Sequence, residues 1–264
     1  MPPDTRTAHF DCPEVICRGP QAYAWTVLPR SSSPAHPATA GRAPTSAERS
    51  RAFYRALGAN GLAIRTKPEW DAQIVSALIE LLPPNGRVLD VGCGYGRIAI
   101  PLAERGYEVT GFDIAPNLLR AGRSEAARRG VAVRFDEGSM TELPYPSQTF
   151  DIVISLWSGF YELLEEAEQI AALGEMARVL RPDGTCVIDG PPFEAASDAE
   201  IESGARYGPD ARIVVAIIAG RRLEQFAHDA ASLGRLAEAA GIVRHSVVER
   251  EWAGNQRQLL LFRG

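Results

Sequence analysis

The chain has 264 residues, 45% hydrophobic and 23% charged, an ordinary globular balance with apolar material for one sizeable core plus an extension. A net charge of −5 argues against a general nucleic-acid surface, and no apolar run approaches the roughly 18 residues that a membrane helix needs. Cys93 and Cys186 have no metal-like neighbour, and His9 is the one histidine close to Cys12 and Cys17, which have four residues between them, so all four read as reduced thiols of a cytoplasmic protein in which no metal site is expected.

Residues 1–45 are rich in Pro, Ala, Ser and Gly and show no lasting periodicity, the pattern of a disordered extension. Their start lacks the charged region and long apolar core of a signal peptide; Ala22 to Leu28 suits a short strand. A helix is expected from about Ser46 to Leu57, capped by Thr45 or Ser46. A second is expected from about Pro68 to Leu82, with Ile74, Leu78 and Leu81 on one face, ended by Pro83-Pro84-Asn85-Gly86.

Strand and helix then alternate. Strands are expected near 87–91, 108–112, 131–135, 150–155 and 185–189, and helices near 95–105, 116–129 and 166–180. Pro101 predicts a slight kink in the first of these helices. After Asp189 the pattern changes. Arg212 to Ile218 reads as an extra strand, followed by a helix near 230–240 and strands near 243–251 and 256–262. The last two fit an antiparallel edge hairpin on a doubly wound, mostly parallel α/β sheet of seven strands.

Val88 to Val91 is a short apolar run of the kind a buried parallel strand needs. Gly92, Gly94 and Gly96 then strip every second Cβ from the following turn, so the backbone can approach a ligand closely. Ile98, Ala99, Leu102 and Ala103 begin a helix, completing the opening unit of a nucleotide-binding sheet. A dinucleotide fingerprint needs a third glycine at position 97, which is Arg. About 20 positions past the glycines, Asp113 ends the next strand, where a carboxylate accepts from ribose hydroxyls or serves as a helix N-cap.

The run Asp90-Val91-Gly92-Cys93-Gly94-Tyr95-Gly96 resembles motif I of class I S-adenosylmethionine (SAM)-dependent methyltransferases. Gly138-Ser139-Met140, Phe150 to Ser155 and Arg181-Pro182-Asp183-Gly184 are similar to the family's third-strand turn, fourth strand and pre-fifth-strand turn. Ser155 to Tyr161 is similar to its small-molecule branch, which acts on amines, sugars and natural products. The resemblance implies a SAM-dependent methyltransferase domain over 46–264, with a helical lid at 46–84 and a small insertion at 190–228. It implies a cofactor site at Asp90, Gly92, Cys93, Gly94, Gly96, Asp113, Ile114, Ser139, Met140 and Ser155, with S-adenosylhomocysteine (SAH) as product. Asp90 would face the ligand ammonium or brace the turn, and Ile114 and Met140 would flank the adenine. Arg65 or Lys67 would meet the ligand carboxylate or remain solvated.

Chemistry in open parallel sheets sits beyond the strand C-termini. That places the acceptor near Ser155 to Glu162 and Asp189 to Phe193. Trp157, Tyr161 and Phe193 are the expected acceptor-binding residues, with Trp157, Phe160, Tyr161 and Phe193 as an aromatic wall or, for Phe160 and Trp157, ordinary core. Tyr161 and Glu162 are the expected catalytic residues, with His228 and His245 as alternative bases or packing groups. The Asn/Asp-Pro-Pro-Tyr/Phe signature of nucleic-acid amine methylation is replaced by Ser155-Leu156-Trp157-Ser158, so the expected partner is a small molecule rather than nucleic acid or membrane. A homo-oligomer is compatible with the chain. The acidic stretch Glu162, Glu165, Glu166 and Glu168 leans toward amine acceptors, or is a solvated helix face. Competing readings are a SAM-binding protein that uses the cofactor structurally or for other chemistry, an NAD-dependent oxidoreductase, and an interaction module built around residues 1–45.

Overall fold

A computed structural model describes residues 43–63, 67–193, 201–202, 213–252 and 254–264. The expected Ala22–Leu28 strand, Cys12, Cys17 and Arg65 lie outside the described residues. Five parallel strands form the heart of the main sheet: β1 (Arg87–Val91), β2 (Glu108–Asp113), β3 (Val133–Glu137), β4 (Phe150–Ser155) and β5 (Leu180–Gly190). β9 (His245–Trp252) and β10 (Asn255–Arg263) complete it as an antiparallel hairpin, giving the order β3-β2-β1-β4-β5-β10-β9. The expected seven-stranded, mostly parallel sheet with a C-terminal hairpin is what the chain forms.

Val88–Val91 of β1, Ile152–Ser155 of β4 and Gly184–Gly190 of β5 are buried without interruption because helices cover both faces. On one face, Leu89, Val153 and Ile188 pack against Leu173 and Met176 of α5 (Glu166–Val179) and Leu233 and Leu236 of α6 (Ala230–Ala239). On the other, Val88, Ile152 and Ile154 pack against Ile74 and Leu78 of α2 (Pro68–Ile79) and Leu102 of α3 (Ala99–Glu104). α4 (Pro116–Arg129) lies over β2 and β3, with Pro116 at its first position and left-handed Gly130 (φ 68°) closing it.

Several boundaries move for local reasons. Gly92, Gly94 and Gly96 all have positive φ, so the backbone turns helical only at Ala99 rather than near 95. Pro101 thereby falls in the first turn of α3, where its missing N–H leaves no interior gap to kink. β5 begins at Leu180 because Arg181 to Gly184 bulges out of the ladder: Phe150 pairs with Leu180, while Ile152 pairs with Thr185. α1 spans Ser46–Ala63, beyond the expected end at Leu57, with a break at Gly58 (φ 68°, ψ 170°).

The region after β5 holds a separate antiparallel sheet of β6 (Ile201–Glu202), β7 (Ile213–Ile218) and β8 (Arg221–Phe226). Ala216, Ile218 and Leu223 of this sheet pack against Phe53 of α1. α1 is therefore seated on this second sheet. Among the described residues no helix is long and apolar enough to cross a membrane.

Candidate functional site

Strand order reverses between β1 and β4, and the C-terminal ends of β1, β2 and β4 open there into a cavity of about 980 Å³, counting the part open to solvent. Topological switch points of this kind are where doubly wound sheets take ligands. Its lining includes Asp90, Gly92, Cys93 and Gly94 from β1 and the glycine turn, Asp113 and Ile114 at the end of β2, Ser139 and Met140 after β3, and Trp157, Gly159 and Glu162 after β4. α1 roofs it with Ser50, Tyr54 and Leu62.

The glycines of the turn have separate jobs. Gly94 has φ 57° and lines the cavity; a Cβ there would sit in van der Waals contact with Leu62 at 3.6 Å. Gly96 has φ 84°, but a Cβ there would meet the Phe135 ring at 2.9 Å, and the residue does not line the cavity. The missing side chain at Gly94 therefore leaves space open in the cavity, and the missing side chain at Gly96 makes room for packing against Phe135 and Ile100.

Asp113 braces this turn. One carboxylate oxygen accepts from Gly94 N and the other from Ala115 N, each at 2.8 Å. Ala115, not Asp113, is the N-cap of α4. A carboxylate has about four lone-pair sites, so both oxygens retain capacity toward the cavity. Burial raises the Asp113 pKa. Asp90 is raised further, to about 7, by burial first and then by the charge of Asp113; the Ala99 N–H and Arg97 oppose that shift. Two buried carboxylates facing one cavity favour a cationic or hydroxyl-bearing ligand. Burial also pushes the Cys93 thiol up, so it stays protonated, with Sγ 3.6 Å from Gly94 O. Ser139 shares a hydrogen bond with Thr141 at 2.8 Å within its turn.

Glu162 is 7% exposed and faces the cavity from a 3₁₀ turn at Phe160–Glu162. Ser50 Oγ donates to one of its oxygens at 2.7 Å and Tyr54 OH donates to the other. Arg51 donates to Ile114 O at 3.2 Å, and Asn117 donates to Tyr54 O at 2.9 Å. α1 is thus tied to both Ile114 and Glu162, two residues of the cavity lining.

Other expected site residues lie elsewhere. Tyr161 is fully buried and outside the cavity lining; its ring presses on Gly190, where a Cβ would come within 2.0 Å. Its hydroxyl has no hydrogen-bond partner among the described residues, and burial raises its pKa. The cause is geometric: successive residues of a 3₁₀ turn point about 120° apart, so Glu162 takes the cavity and Tyr161 the core. Phe193 packs with Val214 and Ala227, away from the cavity. Ser155 Oγ is buried beneath the wall without lining it. His228 is enclosed by Phe160, Tyr161 and Phe226, with Nδ1 3.3 Å from Ser232 Oγ, and His245 Nδ1 lies 3.1 Å from Ile242 O. Lys67 sits over the Trp70 ring at 5.0 Å. Glu165 and Glu166 are exposed at the N-terminus of α5, where negative charge complements the helix dipole, and Glu168 accepts from Ser46. The acidic stretch thus has a structural explanation apart from Glu162.

Residues that the sequence reading passed over also line the cavity, Ser50, Tyr54, Leu62 and Arg97 among them. Arg97 donates through Nε to Asp71 at 2.7 Å, and its guanidinium lies 4.3 Å from the Trp157 ring centroid.

Residues 88–184 match the family model described as "Methyltransferase domain". The chain is 40% identical over 121 residues to the demethylmenaquinone methyltransferase of Thermus thermophilus, covering 45% of this chain and 52% of that protein. It is 37% identical over 139 residues to the nocamycin O-methyltransferase of Saccharothrix syringae, covering 50% and 48%. The chain therefore spans about half the length of these curated relatives. Among solved structures, the 1,6-didemethyltoxoflavin-N1-methyltransferase of Burkholderia thailandensis superposes with a TM-score of 0.60 at 21% identity, over 86% of this chain and 93% of that one. The [4+2]-cyclase SpnF superposes with a TM-score of 0.61 at 18% identity, over 84% and 97%. These structures share its fold.

Proposed function

We propose that this chain, which carries a methyltransferase domain over residues 88–184, binds SAM at the β1–β4 switch point and transfers its methyl group to a small-molecule acceptor. The observation that carries the proposal is the pairing of buried Asp90 and Asp113 across a glycine turn at the floor of an otherwise largely apolar cavity.

The residues suit that cofactor. Asp90 offers a carboxylate to an ammonium, with its cost of burial offset when a cation arrives. Asp113 offers free lone pairs to the ribose hydroxyls while holding Gly94 N. Ile114 and Met140 offer apolar faces to a flat base, and Gly92 and Gly94 keep side chains out of the way. Bound SAM would supply a methyl group on a cationic sulfur, an electrophile that needs only an aligned nucleophile.

The chain's own part is then to align and to take a proton. Trp157, Gly159 and Glu162 line the same cavity as Gly92 and Gly94, so an acceptor held by them shares that space with the cofactor. Glu162 is the proposed proton acceptor for an N–H or O–H nucleophile. Ser50 and Tyr54 fix the carboxylate orientation from the lid. Tyr161, being off the cavity, is assigned to packing.

Transfer of isotope-labelled methyl from SAM to acceptors of the amine, phenol and hydroxyl classes, alongside calorimetric titration with SAH, tests the proposal. The same fold serves a [4+2]-cyclase, so the alternative is a protein that binds SAM without transferring methyl. SAH binding without label transfer across all three classes would favour that alternative.

A further inference from the structure

Beyond the cradle, the wall of the cavity is held by a device whose main member is far away in sequence. β4 ends at Ser155, and the chain then passes through Trp157 (φ 59°) and Ser158 (φ 69°), two consecutive non-glycine residues in the left-handed region. Side chains adopt that backbone reluctantly, so surrounding contacts must hold it. The contacts come from Asp189, near the end of β5, and Arg257, on β10. Asp189 Oδ1 accepts from the Trp157 N–H, and its Oδ2 accepts from Arg257 Nε at 2.7 Å. Arg257 Nη2 donates to Ser158 Oγ at 3.1 Å, and Asp189 O accepts from Ser158 N at 3.2 Å. Both charged side chains are buried, 9% and 4% exposed.

The corner so held reaches the cofactor cradle at two points. Gly159 packs on the glycine turn, its Cα 3.9 Å from where a Cβ of Gly92 would stand. The Trp157 ring carries the guanidinium of Arg97, which lines the cavity, at 4.3 Å and that of Arg257 at 5.3 Å. We infer that Arg257, acting through Asp189 and Ser158, is a positioning residue that fixes the left-handed Trp157–Ser158 corner and thereby sets the part of the cavity wall that packs on the glycine turn. The inference rests on the cofactor reading above. It assigns a role in cofactor binding to a residue on the C-terminal hairpin, outside the 88–184 match.

The test separates this role from ordinary stabilisation. Replacing a buried ion pair by an apolar pair of similar shape is often neutral for stability. The double variant Asp189→Leu/Arg257→Met should therefore keep a cooperative melt near wild type while losing the contacts to Trp157 and Ser158. Calorimetric titration with SAH should then show affinity at least about tenfold weaker. A folded double variant that binds SAH as wild type does would overturn the inference. Should the double variant not fold, Arg257→Lys keeps the positive charge but not the two-point fork; SAH affinity about threefold or more below wild type supports the inference, and wild-type affinity overturns it. Wild-type protein that binds no SAH would overturn the cofactor reading itself, and this inference with it.

Discussion

The most informative perturbation is pH, because Asp90 has a pKa of about 7 before any ligand arrives. Burial is the main cause and the neighbouring Asp113 charge the second. The unfolded value is 3.8. A folded-state pKa above the unfolded one means that Asp90's contribution to stability is full below about pH 4 and is lost as pH rises through about 7. The ligand-free protein is thus burdened by a buried charge above neutrality, by up to roughly 4 kcal/mol at about 1.4 kcal/mol per unit. A bound ammonium removes that burden and pulls the carboxylate to its charged form. At pH 6 a group of pKa about 7 is about 90% protonated, so SAM binding should release about 0.9 proton from Asp90. Affinity should fall toward tenfold per unit as pH drops below about 7, the limit for one linked proton. Calorimetry in buffers of different ionisation enthalpy reads the proton count directly. Asp90→Asn should abolish the release at pH 6. Equal proton release by wild type and Asp90→Asn, or none by wild type, would refute the assignment of Asp90 to the ammonium.

Further predictions follow from the site. Gly94→Val should nearly abolish SAH binding in a folded protein, since its branches enter the cavity at φ 57°, whereas Gly96→Ala should lower the melting temperature through the 2.9 Å clash with Phe135. Thermal melts and SAH titrations of both separate the two roles. Asp113→Ala should weaken SAM binding by roughly 1.5–3 kcal/mol, the scale of a lost charged hydrogen bond, and calorimetry on the folded variant checks it. Glu162→Gln should slow single-turnover methyl transfer by at least about tenfold with SAM affinity little changed. Tyr161→Phe should leave transfer intact and stability equal or higher, because the hydroxyl it removes is buried without a partner among the described residues. A slow Tyr161→Phe enzyme would return that hydroxyl to the chemistry.

What the sequence made legible was whatever is written locally. The apolar run before Gly92 dictates a buried strand, and α4 runs over the expected 116–129 with Pro116 at its first position. The acidic end of β2 is likewise visible as Asp113, though its hold on Gly94 N is not. The losses arise where tertiary contact decides. Position after β4 brought Tyr161 and Glu162 forward together, but only the 3₁₀ turn tells which one faces the cavity. Tyr54 and Ser50 read as positions on an ordinary helix; their hydroxyls matter because α1 is seated over the switch point. Phe193 follows β5 in sequence, yet its packing partners are Val214 of β7 and Ala227, just past β8. Arg257 carries no local signal at all, being one polar residue in a strand, and its role comes from a contact 68 residues away in sequence.

The central claim is that the Asp90–Asp113 cavity is a SAM site, and titration of the purified wild-type chain with SAH at pH 8, repeated with NAD, tests it most directly. The account predicts saturable one-to-one binding of SAH, lost in Gly94→Val and weakened in Asp113→Ala, with no binding of NAD. Binding of NAD in preference to SAH, or SAH affinity unaffected by either substitution in folded protein, would contradict it.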